Sequence, residues 1–468
     1  MLSTWMKSQK LRAPAMKNES VFYRNIEEAL DVRRADHALY NIKENIWKSS
    51  DAVDFCSNDL LSLGASGLLR EKFMAELALY PNFTPGAGGS RMMDGNYEYL
   101  ENLEREIAEF HGAETGLFVG SGFEANLAIF AAIPRPGDVI VYDELVHASS
   151  IEGMEKHSLA NCRFPFSHND VESFRDVLLN IWETQTLVKQ GVRSVIVAVE
   201  SIYSMDGDVC PLEELMEAAA EIFPGGQVQF YVDEAHSTGV IGPRGSGFVC
   251  ELGLEKSIPI RLHTFGKAIA SAGAIILCNH TVKAALTNFA RSVIYTTAPS
   301  FIVAASVRAG YKLLKDGQTE AGQKHIQHLV KHFFKTITAD PIWAKASKAG
   351  ALSCPLAEDW EERAFVTHIV PIWTRPRYTY WLMFHLLLSK FCAYGVEYPT
   401  VPKGQSRVRV TFHANNTEAE TDGLAQSICS WAREMLDLEE AEAGEDRIPK
   451  AARQVYSWMA DEAIEVTH

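Results

Sequence analysis

The stretch HTFGKAIASAGAIILC, residues 263–278, places one lysine among small residues directly ahead of an apolar run. Lys267 follows a threonine, an aromatic residue and a glycine, and small side chains occupy positions 268, 270, 271 and 273. The run GAIILC at the end of the stretch is typical of a buried strand. A lysine on a solvated face does not need small neighbours, so the stretch predicts a flat ligand lying against Lys267.

The region around this lysine alternates short apolar runs with amphipathic stretches. The runs predicted as buried strands are GLFVG (116–120), DVIVYDE (138–144), SVIVAVES (194–201), VQFYVDEAH (228–236) and GAIILC (273–278). Helical patterns such as LENLEREIAEFHG (100–112) and LEELMEAAAEIF (212–223) lie between them. This alternation predicts an α/β fold with a mainly parallel sheet. Ligands of such sheets bind at the carboxyl ends of the strands, where Glu200 and Asp233 follow apolar runs.

The C-terminal part of the chain has the pattern of a smaller α/β domain. Helices are predicted around 301–314, 321–337 and 421–438, and strands around 365–373, 395–402 and 406–414. A charged linker, 437–449, precedes one more helical pattern at 451–464. We predict an N-terminal arm over 1–50, a large domain over 51–300, a small domain over 301–436, and an acidic linker with a tail helix over 437–468.

The composition argues against several classes of partner. The formal net charge of −16 disfavours nucleic acid, because such a surface repels phosphates. No apolar run approaches the roughly 18–20 residues needed to cross a bilayer, so we expect no membrane partner. The eight cysteines show no spacing typical of a metal site or of a disulfide framework, which predicts no metal and a cytoplasmic location. Four basic residues before Glu19 leave organellar targeting open.

Asp233, His236 and Lys267 together suit one cofactor. Asp233 alone is often a helix cap, and a lone lysine in a small-residue loop is often a surface residue. An anion and an imidazole from one strand end, however, can hold the ring nitrogen and the phenolic oxygen of pyridoxal 5'-phosphate (PLP). A carboxylate beside that nitrogen favours its charged form, and Lys267 supplies the amine for the aldehyde.

The stretch LFVGSGFEANLAIF, residues 117–130, predicts a site for the phosphate of that cofactor. It has the pattern of a strand, a glycine turn and a helix, so the amides of Ser121, Gly122 and Phe123 would open a helix and point at an anion. Thr264 offers a hydroxyl as well. The spacing is neither that of a P-loop nor that of a dinucleotide-binding turn.

Three further residues are candidates for the site. His147 follows the run VIVYDE and could stack on the ring, although a lone histidine is more often structural. Asn58 and Arg409 are candidates to hold a substrate carboxylate, for which the planar guanidinium is suited. The sequence does not distinguish Arg407 from Arg409 in this role.

Taken together, these stretches resemble the α-oxoamine synthase family of PLP enzymes, and within it the 8-amino-7-oxononanoate synthases and their fungal relatives. Eight pieces occur in family order: FCSNDLLSLG (55–64), GAGGSRMMDG (86–95), GLFVGSGFEAN (116–126), DELVHASSIEG (143–153), ESIYSMDGDVCPLEEL (200–215), VDEAHSTGVIG (232–242), HTFGKAIASAGAIILC (263–278) and ARSVIYTTAPS (290–300). In the small domain only SRVRVTFHANNTEAE (406–420) matches firmly.

The resemblance implies fold type I for PLP-dependent transferases and a homodimer with shared active sites. It implies that Lys267 bonds the cofactor, that Asp233 pairs with the ring nitrogen, and that His236 contacts the phenolic oxygen. The further implied contacts are His147 on the ring face, Ser204 near it, Gly122, Phe123 and Thr264 at the phosphate, Thr296 or Thr297 from the other subunit, and Arg409 at the substrate carboxylate. The implied reaction condenses a small amino acid with an acyl thioester and releases CO2 and free thiol.

Some choices stay open at this point. Leu60, Ser62 and Leu100 depart from the family pattern at positions expected near the acyl entrance, so the acyl group is not specified. The amino acid could be alanine, glycine or serine, and the thioester could be carried by coenzyme A or by a carrier protein. Biotin synthesis and secondary metabolism are both compatible. An aminotransferase or aldolase of the same fold and a non-catalytic partner subunit are the alternatives.

Overall fold

The computed structural model describes residues 16–35, 39–40, 51–440 and 447–465. The basic residues that leave organellar targeting open fall mostly at residues 1–15, outside the described residues. The chain forms two compact units. One comprises Ser57–His328 and His413–Asn415, and the other comprises the described parts of Met1–Cys56, Leu329–Phe412 and Asn416–His468. The predicted domain limits stay a prediction, because compactness alone does not show that a unit folds independently.

The strands are β1 (Val53–Asp54), β2 (Thr115–Val119), β3 (Val139–Asp143), β4 (Cys162–Phe166), β5 (Val195–Glu200), β6 (Val228–Asp233), β7 (Ile260–Thr264), β8 (Ala274–Cys278), β9 (Leu352–Ser353), β10 (Ile369–Thr374), β11 (Phe391–Cys392), β12 (Tyr394–Val396) and β13 (Arg407–Thr411).

The α-helices are α1 (Val21–Ala35), α2 (Leu68–Ala78), α3 (Glu98–Phe110), α4 (Gly122–Ala132), α5 (Ala148–Glu152), α6 (Val171–Thr184), α7 (Thr186–Lys189), α8 (Leu212–Ile222), α9 (Phe248–Glu251), α10 (His280–Phe289), α11 (Arg291–Ile294), α12 (Phe301–Lys315), α13 (Glu320–Ala339), α14 (Pro341–Lys348), α15 (Tyr378–Leu388), α16 (Glu418–Glu440) and α17 (Lys450–Glu465). Short 3-10 and π turns lie at Gly153–His157, Pro243–Gly245, Pro355–Ala357 and Trp360–Glu362.

The unit that contains Lys267 is built on a seven-stranded sheet in the order β2-β8-β7-β6-β5-β3-β4. Strands β7, β6, β5, β3 and β4 pair in parallel, and β8 pairs antiparallel with both β2 and β7. Every residue of β2, β5 and β7 is buried, as expected for strands covered on both faces. The predicted α/β architecture with a mainly parallel sheet is confirmed.

The parallel pairing brings the polar ends of neighbouring strands to one edge of this sheet. Glu200 ends β5 and pairs in register with Asp233 at the end of β6, and Thr264 ends β7. The connections that leave this edge therefore carry the candidate site residues.

Two strands of this sheet were not predicted. In β7, Arg261 and His263 interrupt the apolar pattern, yet their exposed fractions are only 1% and 0%. Strand β4, CRFPF, lies at the edge of the sheet and is partly exposed, so it lacks a continuous apolar run.

The other unit contains an antiparallel sheet in the order β12-β13-β10-β9 and a separate parallel pair, β1 and β11. The predicted strand around 395–402 is limited to β12, which ends at Val396. Helix α16 continues to Glu440, so the first residues of the predicted acidic linker are helical. Residues 441–446 of that linker lie outside the described residues. The tail helix α17 packs on α15 through Phe384, Ala451, Ala452 and Val455.

Candidate active site

A cavity of about 190 Å³ lies at the carboxyl ends of β5, β6 and β7. The predicted site residues that line it are Gly122, Phe123, His147, Ser204, Asp233, His236, Thr264 and Lys267. Residues to which the sequence assigned no role also line it, namely Asn126, Ser149, Glu200, Ala235 and Leu262. The cavity therefore brings together side chains from five separate segments of the sequence.

Lys267 lies in the turn between the antiparallel strands β7 and β8. Its Nζ is 2.9 Å from Nε2 of His236, so the amine and the imidazole form a hydrogen-bonded pair. The turn is closed by the N–H of Ala270, which donates to the carbonyl of Lys267 over 2.8 Å. Ala270 has a φ of 52°, in the left-handed region. This tight turn fixes the position of Lys267 just beyond the end of β7.

The small residues beside the lysine pack against the protein itself. A Cβ built at Gly239 would lie 2.8 Å from Cβ of Ala268, and the φ of Gly239 is 83°. The hydroxyl of Ser271 donates to that of Ser306 over 3.0 Å. Small residues at these positions are predicted to leave room for a ligand, and in the structure Ala268 and Ser271 also let the lysine turn approach its neighbours closely.

Asp233 ends β6 with its carboxylate facing the cavity, and its exposed fraction is 6%. One carboxylate oxygen accepts the N–H of Ala235 over 3.0 Å. The other accepts Nδ2–H of Asn126 over 3.1 Å. Two donors thus fix this anion where a cationic ligand atom can meet it.

His147 caps the first turn of α5, and its ring borders the cavity. Its Nδ1 lies 2.7 Å from the hydroxyl of Ser149, and its backbone N–H donates to Oε1 of Glu200 over 2.5 Å. Desolvation lowers the pKa of His147, nearby Lys267 acts in the same direction, and Asp233 opposes both. The ring therefore favours the neutral form.

Glu200 is a cavity residue that the sequence analysis did not assign. Its carboxyl is buried, which raises its pKa well above the ordinary value, and the nearby Asp233 adds to this shift. Its position directly after an apolar run was the one available signal. Glu200 holds the backbone of His147, so it helps to set the position of that ring.

The N-terminus of α4 forms the remaining wall. Ser121 caps this helix, since its Oγ accepts the N–H of Glu124 over 3.1 Å. The first amides of a helix have no partner within it, so those of Gly122 and Phe123 can face an anion. A Cβ at Gly122 would lie 3.5 Å from Oγ1 of Thr264, which places this hydroxyl beside the helix start.

Several predicted residues do not line this cavity. Asn58 is exposed, and so are Thr296 and Thr297, of which Thr297 forms an isolated bridge with Ser90. Arg409 belongs to the other unit, where its Nη1–H donates to Oγ1 of Thr411 over 3.0 Å. Burial lowers the pKa of Arg409 to about 10. The roles of these residues stay predictions.

The structure also locates Arg407, the other arginine considered for the substrate carboxylate, and the three residues that depart from the family pattern. The guanidinium of Arg407 lies 4.2 Å from the centre of the Trp373 ring and donates to the carbonyl of Gln405. Leu60 and Leu100 are fully buried, so they support the surrounding structure and do not line an opening. Ser62 has a φ of 54°, in the region that favours glycine, and its hydroxyl accepts the N–H of Asn415 over 3.2 Å.

No described helix has the length and apolar character needed to span a bilayer. The described His, Cys, Asp and Glu side chains form no group that could hold a metal ion.

Comparison with known proteins places the chain in a family. The aminotransferase class I and II family matches residues 50–428. An aminoacyl transferase sphA from Aspergillus fumigatus is 54% identical over 459 residues, which cover 98% of this chain and 97% of that protein. An 8-amino-7-oxononanoate synthase from Emericella nidulans is 43% identical over 429 residues, which cover 88% of this chain and 96% of that protein.

Solved structures share the fold at lower identity. A serine palmitoyltransferase from S. paucimobilis, solved with PLP and myriocin bound, has a TM-score of 0.68 at 21% identity, covering 82% of this chain and 87% of that chain. An 8-amino-7-oxononanoate synthase from Francisella tularensis has a TM-score of 0.62 at 24% identity, covering 82% of this chain and 98% of that chain. The predicted fold type I is confirmed, and the chain belongs to the class I and II aminotransferase family and, within it, to the α-oxoamine synthases.

Proposed function

We propose that this chain is a PLP-dependent enzyme that condenses a small amino acid with an acyl thioester. The products are an α-amino ketone, CO2 and a free thiol. The observation that supports this most is the single cavity in which the Lys267–His236 pair, the Asp233 carboxylate and the start of α4 converge. Membership of the α-oxoamine synthases supports the same reaction class.

The residues that line the cavity suit PLP. We assign Lys267 to the aldehyde, Asp233 to the ring nitrogen and His147 to the ring face. The amides of Gly122 and Phe123, the cap Ser121 and the hydroxyl of Thr264 form a cradle for the phosphate, which the positive end of the helix dipole favours. We place Ser204 beside the ring. When bound, PLP supplies a ring that withdraws electrons from the Cα of the amino acid.

The residues of the chain then manage the protons. The amine of Lys267, once free, is the base assigned to take the Cα proton. His236 lies within hydrogen-bond distance of that amine and can orient it. We also assign His236 to donate a hydrogen bond to the oxygen on which charge develops when CO2 leaves. A neutral His147 is compatible with a position beside a PLP ring that is protonated on its nitrogen, because a cationic imidazole would repel that ring.

The cavity also has to keep water from the thioester. Asp233, His236, Leu262 and Thr264 are all buried and form its inner wall. Exclusion of water strengthens the electrostatic contacts within the site and limits hydrolysis of the acyl donor.

For the substrates, we assign Arg409 and Asn58 to the amino-acid carboxylate. Alanine, glycine and serine remain candidates, and so do acyl groups on coenzyme A or on a carrier protein. Biotin synthesis and secondary metabolism are both compatible with this activity.

We infer that the enzyme is a homodimer in which Thr296 or Thr297 reaches the phosphate of the other subunit. Their exposure in the single chain is consistent with such a role. The cytoplasmic location stays a prediction.

The proposal is tested by incubating the purified chain with PLP, each of the three amino acids and acyl thioesters of increasing length. We expect thiol release and CO2 in equal amounts for one combination, and neither product from a Lys267→Ala variant. A keto acid without thiol release would instead identify an aminotransferase.

The absorbance spectrum tests the last alternative, a non-catalytic partner subunit. A cofactor bonded to Lys267 should give an absorbance band near roughly 410–430 nm. A protein that binds PLP without that band, or binds none, would be a non-catalytic partner subunit.

A further inference from the structure

Asn126 is a buried residue of α4 whose side-chain amide makes hydrogen bonds through both its nitrogen and its oxygen. Its exposed fraction is 1%, and it lines the cavity. Its Nδ2 donates to Oδ2 of Asp233 over 3.1 Å and to the hydroxyl of Ser149 over 3.0 Å. Its Oδ1 accepts the hydroxyls of Ser150 over 2.9 Å and of Tyr231 over 2.5 Å. These contacts use both donors and both acceptor positions of the amide.

The partners allow one orientation of this amide. An ionised carboxylate can only accept, so the nitrogen of Asn126 has to face Asp233. The hydroxyls of Tyr231 and Ser150 then donate to the oxygen on the other side. A flipped amide would place its oxygen against the carboxylate and lose these bonds.

The network continues from Asn126 to His147. The hydroxyl of Ser149 accepts from Asn126, so its own hydrogen is available for Nδ1 of His147, 2.7 Å away. The backbone N–H of Ser149 also donates to that Nδ1, over 3.2 Å. An Nδ1 that accepts two hydrogen bonds carries no hydrogen, so the neutral ring has its proton on Nε2.

We propose that Asn126 is a positioning residue that couples the Asp233 carboxylate to the ring of His147 and fixes both with one side chain. This inference rests on the proposed function, in which Asp233 and His147 hold the nitrogen and one face of the PLP ring. Because one amide connects them, a change at Asn126 alters both contacts to the ring together.

Three variants test the coupling. Asn126→Leu keeps a similar volume but removes all four hydrogen bonds. Ser149→Ala keeps the bond between Asn126 and Asp233 and removes the side-chain link from Asn126 to His147, while the backbone N–H of residue 149 can still donate to Nδ1 of His147. Ser150→Ala is the matched control, because Oδ1 of Asn126 keeps the hydroxyl of Tyr231.

The readouts are the Kd for PLP, the circular dichroism that bound PLP acquires, and the melting temperature. For Asn126→Leu we expect the Kd to rise by about 10-fold to 100-fold, as for the loss of a hydrogen bond to a charged group, and the dichroism per bound PLP to weaken. Ser149→Ala should weaken the dichroism with a smaller rise in Kd. Ser150→Ala should keep the Kd within about threefold of the wild type.

The outcomes separate this inference from the proposed function. If the wild-type chain binds no PLP, both are wrong. If it binds PLP and Asn126→Leu shows the wild-type Kd and dichroism with only a lower melting temperature, the coupling is wrong and the proposed function stands. If Asn126→Leu fails to fold, Ser149→Ala decides, since an unchanged dichroism in that variant overturns the proposal.

Discussion

Asp233 and Glu234 are adjacent carboxylates, yet they belong to two different surroundings within one unit. Asp233 faces the cavity, and the donors that hold it come from Asn126 and Ala235. Glu234 has no exposed surface, and it accepts the hydroxyl of Ser237 over 2.8 Å and the N–H of Phe248 over 2.5 Å.

Glu234 is part of a second polar cluster, which we call the core cluster: Glu234, His263, His111, Tyr311 and Arg261. Nε2 of His263 lies 3.6 Å from Oε1 of Glu234, and the rings of His263 and His111 are 4.0 Å apart. Nε2 of His111 bonds the hydroxyl of Tyr311 over 2.9 Å. These five side chains are all buried.

Asp233 and the core cluster around Glu234 differ in whether they are next to a cavity. Asp233 lines a cavity that a ligand can enter. Glu234 is surrounded by protein, and its hydrogen bonds go to Ser237 and Phe248. Adjacent residues with the same chemistry therefore serve different purposes, which we assign to ligand binding for Asp233 and to the stability of the fold for Glu234.

The largest effect should follow from removing the amine of the cavity. A Lys267→Ala variant loses the assigned base, so we expect kcat to fall by about 10²-fold to 10⁴-fold or more. Steady-state thiol release measures this, and borohydride treatment with peptide mapping should find the cofactor on Lys267 in the wild type. Lys312→Ala, an exposed lysine of α12, is the control and should leave kcat unchanged.

Exchanging each carboxylate for its amide tests the comparison directly. Asp233→Asn should lower kcat by about 10²-fold to 10³-fold with little change in melting temperature, because the charge beside the ring nitrogen is lost. Glu234→Gln should lower the free energy of unfolding by about 1–3 kcal/mol with little change in kcat. Turnover assays and urea unfolding of both variants provide the measurements, and reversed effects would refute the distinction.

The histidines of the core cluster predict a loss of stability in acid. Burial lowers the pKa of His111 to about 3 and that of His263 well below its ordinary value. Only the unfolded chain then takes up these protons as the pH falls below about 6.5, which favours unfolding. Burial also raises the pKa of Glu234 to about 6, so the folded state takes up one proton first and offsets one histidine.

For the core cluster alone, the net result is one more proton on the unfolded chain below about pH 6, which lowers the unfolding free energy by about 1.4 kcal/mol per pH unit. Urea unfolding at about pH 7.5, 6 and 5 measures this slope, most simply without added PLP. His111→Gln removes one of the two histidines, so its slope should be smaller than that of the wild type by about 1.4 kcal/mol per pH unit. An unchanged slope in that variant would show that His111 is not the group responsible.

A third histidine should give a smaller effect of opposite sign. His168 is partly buried, but its hydrogen bonds to Asp143 and Asp208 outweigh that burial and raise its pKa to about 10. Its stabilising contribution is therefore complete below about pH 6.5 and is lost as the pH rises toward 10. We expect His168→Gln to cost about 1 kcal/mol of unfolding free energy at neutral pH, and the difference from wild type to vanish near pH 10.

Much of the sheet could be predicted from the sequence, because β2, β3, β5, β6 and β8 are mainly apolar runs. Strand β7 could not, since Arg261 and His263 look like surface residues until their partners in the core are known. The central residues of the site could also be predicted. Lys267, Asp233 and His236 follow the ends of strands, and polar residues at such positions indicate a ligand site.

The supporting residues of the site carried no such signal. Asn126 lies inside a helix, and its partner Asp233 is 107 positions away along the chain. Only the packing of α4 against the sheet brings them together. Ser149 likewise lies in a short helix, and its contact with Asn126 depends on the same packing.

The close approach of Gly239 and Ala268 has a consequence for protein engineering. A single methyl group added at Gly239 would collide with Ala268, so the segment that carries His236 and the turn that carries Lys267 cannot be altered separately. Libraries intended to change the substrate range are better directed at Phe123 or Ser204, on other walls of the cavity. The φ of 83° at Gly239 would strain any other residue there, so a smaller residue at 268 would not by itself allow a replacement.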